Sequence, residues 1–238
     1  MNLVYMFNNK IKLRKLLFLS FLFFLFTEGN GYSAEVTLAV LDFENNSIFN
    51  AENYDPLEAG IAEMMISEFN TIESIKIVER QKLQVILDEL KMSQSGLGHN
   101  QSLEAGRIVG ADYLVFGSFI VTMENKIRID TRIVEVETGL TLKAEEITGK
   151  TKKLLILIQK LGEKVLQGTD KKILENEKIT FVKGQKLNID AVIWFSKGIA
   201  YRDIEKYDQA KKCFTKALEI EPKYKQAKEE IKLLSNIQ

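Results

Sequence analysis

Few side chains in this 238-residue chain have types and spacings that could do chemistry. His99 is the sole histidine and Cys213 the sole cysteine, so zinc spacings built on repeated Cys and His pairs are out of reach. The stretch SGLGHNQ around His99 has two glycines but lacks the third of a dinucleotide-binding turn, and no strand-to-helix phosphate turn follows it. His99 therefore reads as a solvated residue of a polar loop. Asp42 and Glu44 stand at the end of an apolar run, and two such carboxylates could divide general-acid and general-base work in a hydrolysis. Carboxylates are also common at strand ends for no catalytic reason. The expectation is no catalytic residue, no cofactor and no metal, with a hydrolase built on Asp42 and Glu44 as an alternative.

Charge and composition bound the rest. The chain is 45% hydrophobic and 28% charged with a formal net charge of +0, a globular composition. The zero hides an asymmetry: residues 35–149 hold 9 Lys/Arg against 20 Asp/Glu, and residues 150–189 hold 10 against 4. The lysines of TKKLLILIQKLGEKVLQGTDKK have no aromatic residues among them, so base stacking has no support and no nucleic-acid partner is expected. This segment reads as a solvated neck. At the start, Lys10, Lys12, Arg14 and Lys15 precede the apolar run Leu16 to Phe26, and small polar residues follow. That is the layout of a cleavable secretory signal, cut after Ser33 or Ala34, and an eleven-residue run falls short of the ~20 that a membrane helix needs. An uncleaved short anchor is the other reading. The lone Cys213 cannot close an intrachain disulfide; it is a small packing residue or a thiol for an intermolecular bond.

The periodicities predict elements in the order β-α-β-α-α-β-β-β-α. Val36 to Leu41 forms a buried strand. A helix opens at Pro56 with Leu57, Ile61, Met64, Met65 and Phe69 on its apolar face. SIKIVER is a second strand. Leu83, Ile86, Leu87 and Leu90 mark a helix stopped by Gly96, and a short helix capped by Ser102 carries Leu103, Arg107 and Ile108 along one face or its border. Gly110 ends that helix with positive φ and feeds it into the strand at Tyr113, where Gly117 permits close backbone approach. Ile127, Ile129, Thr131 and Ile133 then alternate with Arg128, Asp130 and Arg132, the period of a half-exposed antiparallel strand. A last strand, LTLKAEEITG, leads into an amphipathic helix. The fold class is α/β, an α+β sandwich with a mixed sheet flanked by helices.

The blocks AVLDFENNS, IVERQKLQVILDELKMSQSG, AGRIVGADYLVFGSF and IRIDTRIVEVETGLTL, in that order, resemble the CsgG/FlgO-like family over about residues 36–165. The resemblance implies an exported protein, periplasmic or outer-membrane-associated, without catalysis. Channel-forming members carry long hairpins in and after the meander. Here the first turn is only Met123, Glu124 and Asn125, whereas a membrane strand takes ~9–11 residues, so the pore is not carried over.

AVIWFSKGIAYRDIEKYDQAKKCFTKALEIEPKY, residues 191–224, looks like one tetratricopeptide repeat. Trp194, Gly198, Tyr201, Ala210, Phe214 and Pro222 fit its pattern, as do Tyr207 and Ala217; Lys197 departs from it. KQAKEEIKLLSNI supplies a capping helix. Trp194 is expected between the two repeat helices. The resemblance places ligands on the inner face of the first helix, here Val192, Phe195, Ile199 and Arg202, although the three apolar ones could instead pack internally. The expected organisation is a signal over 1–34, a sheet domain over 35–168, a linker over 169–188 and the repeat with its cap over 189–238, with separate cores. The expected function is an envelope accessory in outer-membrane assembly or secretion that docks envelope proteins, with self-association open; a secretion channel is the alternative to it.

Overall fold

The computed structural model describes residues 36–93, 99–167 and 186–236. The leader with its cut, Gly96 and most of the expected linker lie outside them. Five strands form one mixed sheet in the order β2-β1-β3-β4-β5. The strands are β1 (Val36–Asn45), β2 (Ile75–Ile77), β3 (Tyr113–Val121), β4 (Lys126–Glu135) and β5 (Thr141–Lys150). β1 pairs in parallel with β2 and β3, while β3, β4 and β5 form the antiparallel meander. The helices are α1 (Ala51–Tyr54), α2 (Leu57–Phe69), α3 (Arg80–Ser93), α4 (His99–Val109), α5 (Leu154–Leu166), α6 (Ile189–Asp203), α7 (Tyr207–Ile220) and α8 (Lys225–Ser235).

Alternation along each strand sends side chains to two cores. Leu38, Val40, Val115, Phe119, Ile129 and Ile133 meet α2 and α5 on one face. Ala39, Leu41, Leu114 and Val134 meet Leu83 and Leu87 of α3 and Leu103 of α4 on the other. Leu57, Ile61, Met64, Met65 and Phe69 are fully buried, as the helical spacing requires. The mixed sheet flanked by helices is the fold class read from the sequence.

One irregularity positions a functional group. The β1–β3 register shifts between Val40 and Phe43, a bulge of one residue. Without it Phe43 would face the α3 side; with it Phe43 joins the α2 core and Asp42 is left exposed beside it. Gly117, opposite Phe43, makes the room: a Cβ there would sit 2.0 Å from the Asp130 carbonyl oxygen and 2.7 Å from the Phe43 ring. Gly110 has φ +70 and ends α4 with Ala111 N donating to Gly106 O at 2.9 Å.

Four expectations need correction. β2 is only three residues long, because the chain leaves it to start α3 at Arg80. His99 opens α4 instead of lying in a loop, so Ser102 is inside the helix and does not cap it. Ile108 is exposed, because Leu103 and Ala105 carry the buried face of α4. The repeat does not have a core of its own: Phe195, Phe214 and Tyr224 belong to the same apolar cluster as Phe43, Met64 and Ile158, within one compact unit. A single repeat buries too little by itself, and the domain completes it. Among the described residues no helix is long and apolar enough to cross a membrane.

Candidate functional site

The candidate residues lie on α6. Its first turn is capped by Asn188, whose side chain accepts from Asp190 N at 2.9 Å. Val192, Phe195 and Ile199 then recur at helical spacing and are buried, against α2 on one side and α7 on the other. The close approach depends on small residues. A Cβ on Gly60 of α2 would sit 1.8 Å from Ser196 Oγ, and Ser196 turns that hydroxyl back to donate to Val192 O at 2.8 Å. Phe195 is gripped by Phe214 and Tyr224, with ring centroids 5.6 and 4.9 Å away. Tyr224 reaches across to donate to Met64 Sδ at 3.9 Å, and its full burial pushes the phenol far above its ordinary pKa.

The inner face of the first repeat helix is thus filled by the chain's own α2. Val192, Phe195 and Ile199 form an internal seam and offer no open docking face. Arg202 is likewise engaged internally. Its guanidinium donates to Glu63 Oε2 and Glu230 Oε1, both at 2.7 Å, and to Asp203 Oδ1 at 3.2 Å. Arg80, at the start of α3, donates to Asp42 at 2.6 Å and to Asp203 at 2.6 and 3.0 Å. Gln81 adds a bond to Arg202 O at 3.1 Å. Burial alone would lower both guanidinium pKa values, but the surrounding carboxylates raise them above the ordinary arginine value.

This network clamps the repeat to the sheet domain: Asp42, Glu63 and Arg80 come from one side, Arg202, Asp203 and Glu230 from the other. Asp42, set at the bulge, thus pairs with an arginine. Four carboxylates face two guanidinium groups, so full ionisation leaves two negative charges in excess. Glu230 accommodates this. Burial raises its carboxyl pKa against the opposing pull of Arg202, and its Oε2 has no hydrogen-bond partner. A raised carboxyl pKa means that the folded state holds the proton more tightly than the unfolded chain. The resulting stability is full below the ordinary Glu value and is lost as the pH rises through the raised one. The carboxyls of half-buried Glu58 and buried Glu68 are raised in the same direction by burial. Glu230→Gln should therefore be at least as stable as wild type at pH 7.5 and show a flatter rise of Tm on acidification. A Tm loss at pH 7.5 with an unchanged pH slope would refute this assignment.

Trp194 is only half-buried and not enclosed between the helices. Phe214 takes that place, its ring so close to Gly198 that a Cβ there would sit 2.4 Å from it. Trp194 is half-buried on the outer seam of α6 and α7, with Lys216 Nζ 4.1 Å and Lys197 Nζ 4.8 Å from its ring centroid. Cys213 is buried beside it, and burial pushes its thiol pKa up, which suits a packing residue. Sequence reasoning found Arg202 but missed Glu63, Arg80, Asp203 and Glu230. A glutamate inside the apolar run of α2 is the signal that could have found one of them.

Two family models match parts of the chain. Residues 27–122 match the family model described as "Curli production assembly/transport component CsgG", a match that ends at the β3–β4 turn, and residues 191–224 match a tetratricopeptide repeat model. No curated protein sequence matches the chain. Among solved structures, the C-terminal domain of LpoB from Escherichia coli is 21% identical, covering 52% of this chain and 89% of that one, with a TM-score of 0.38. A PelC dodecamer from Paraburkholderia phytofirmans is 13% identical over 58% of this chain and 90% of its own, at 0.35. The hypothetical protein CT253 from Chlamydia trachomatis is 12% identical over 60% and 100%, at 0.39. The chain carries, in order, a CsgG-type domain and one tetratricopeptide repeat.

Proposed function

We propose that this protein is an exported, non-catalytic accessory of the cell envelope, acting in outer-membrane assembly or secretion by docking partner proteins. The observation that supports it best is the pairing of a CsgG-type domain with a repeat held on it by a buried ion network. That arrangement fixes the repeat as a rigid extension, so a partner bound to the outer surface of the repeat is held at a set position relative to the sheet. The carboxylates that could have served hydrolysis have other company: Asp42 is engaged by Arg80, and Glu44 points outward from β1.

The expected location is periplasmic with peripheral attachment to the outer membrane. Fractionation tests this. The protein should sediment with envelopes and be released by high-salt or carbonate washing. Retention in the detergent-only fraction as a heat-resistant oligomer would favour a channel component instead, and recovery from the cytoplasm would refute the exported reading.

A further inference from the structure

We propose that the outer groove of the repeat, floored by Trp194, takes a short acidic peptide segment with carboxylates at alternate positions. This rests on the docking reading above and names the partner's chemistry. The groove holds about 640 Å³ between α6 and α7. Small-ligand and peptide sites fall in this range. With the inner face occupied by α2, it is an open aromatic surface of the repeat.

Its charges are arranged in a line. Along α7 the groove is lined by Asp208, Lys211, Lys212, Lys216 and Glu219, so three cations are bracketed by two carboxylates. Lys197 joins from α6. Lys197 and Lys216 rest their ammonium groups on the indole ring, yet among the described residues no carboxylate lies within the 4.0 Å of an ion pair with Lys197, Lys212 or Lys216. An ammonium has three donors, and a contact with a ring face leaves the others for an acceptor. Lys197 and Lys216 are thus held at the ring with donors to spare, and Lys212 is exposed one turn along α7 from Lys216, which is the complement of an anion.

The spacing selects the anion. Lys212 and Lys216 are four residues apart on a helix, a rise of about 6 Å. Carboxylates two residues apart on an extended peptide are about 6.6 Å apart and point to the same side. The peptide's apolar stems would lie on the Trp194 ring. Asp208 and Glu219, at the two ends of the lysine row, disfavour a phosphodiester chain or an anionic lipid surface, whose negative charge continues past the lysines. They favour a short acidic stretch with polar or basic flanks.

Trp194 is the chain's single tryptophan, so it reports on its own site. The experiment titrates the full chain with fluorescein-labelled Lys-Gly-Glu-Gly-Glu-Gly-Lys, following Trp194 emission and probe anisotropy. A saturable change is expected, weakened by salt. The charge reversal Lys212→Glu with Lys216→Glu should cost at least about tenfold in affinity while leaving the circular dichroism unchanged, since both lysines are exposed. No binding up to about 1 mM, equal binding of the glutamine analogue, or equal binding by the charge-reversal variant would overturn the proposal. So would a Trp194 response confined to phosphatidylglycerol vesicles, or one that tracks self-association in sedimentation. Capture of envelope proteins by the same two chains separates the two readings. Capture retained by the charge-reversal variant sinks this inference and leaves docking standing, and no capture even by wild type sinks docking itself.

Discussion

Arg202→Met should cost about 3–5 kcal/mol of stability, the loss seen when one partner of a buried ion pair is removed. The cost comes less from the missing bonds than from what is left behind. Without Arg202, Glu63 and Glu230 lose their 2.7 Å partner, and both are nine-tenths buried among other carboxylates. Methionine roughly matches the arginine stem in volume, so cavity formation contributes little. Adding Glu63→Gln and Glu230→Gln to the same chain should restore much of the loss, because neutral amides need no counter-charge. Urea denaturation of wild type, the single variant and the triple variant measures this. A loss below about 1 kcal/mol would equate the network with surface ion pairs and remove it as the clamp.

The second large effect is Phe195→Ala. A phenylalanine cut to alanine in a packed core costs about 3–5 kcal/mol. Phe195 is 1% exposed and touches the rings of Phe214 and Tyr224 while packing towards α2. Because its cluster is continuous with the sheet core, the variant should lower the unfolding midpoint of the whole protein with an unchanged urea slope. Limited proteolysis should then yield no long-lived fragment of about residues 35–168. Trp194→Ala, on the outer seam, should cost much less. If Phe195→Ala released that fragment intact, the repeat would be an independent unit.

The contrast between these two residues shows what could be read from the sequence. Element order, the helical face of Leu57 to Phe69 and the alternation of Ile127 to Ile133 were legible, because they follow local periodicity. The roles of Gly110 and Gly117 were legible from chain geometry. The seam was not. Val192, Phe195 and Ile199 carry the same apolar pattern whether they meet a partner or the chain's own α2, and the choice depends on a contact between Gly60 and Ser196, 136 positions apart. The ion network has the same character, joining Arg80 to Asp203 and Arg202 to Glu63 across 123 and 139 positions. The bulge that sets Asp42 depends on register with β3, which no single strand reveals. Trp194 was legible as a motif residue, but its half-burial beneath Lys197 and Lys216 depends on how α7 lies against α6.

The central claim is that the CsgG-type domain and the repeat unfold as one body. Native-state hydrogen exchange with increasing urea tests it most directly, by comparing the slowest amides of β3 with those of α7. The account predicts that both reach the same opening free energy with the same steep urea dependence, equal to global unfolding. An α7 that opens at markedly lower free energy with a shallow urea dependence, while β3 stays protected, would contradict it.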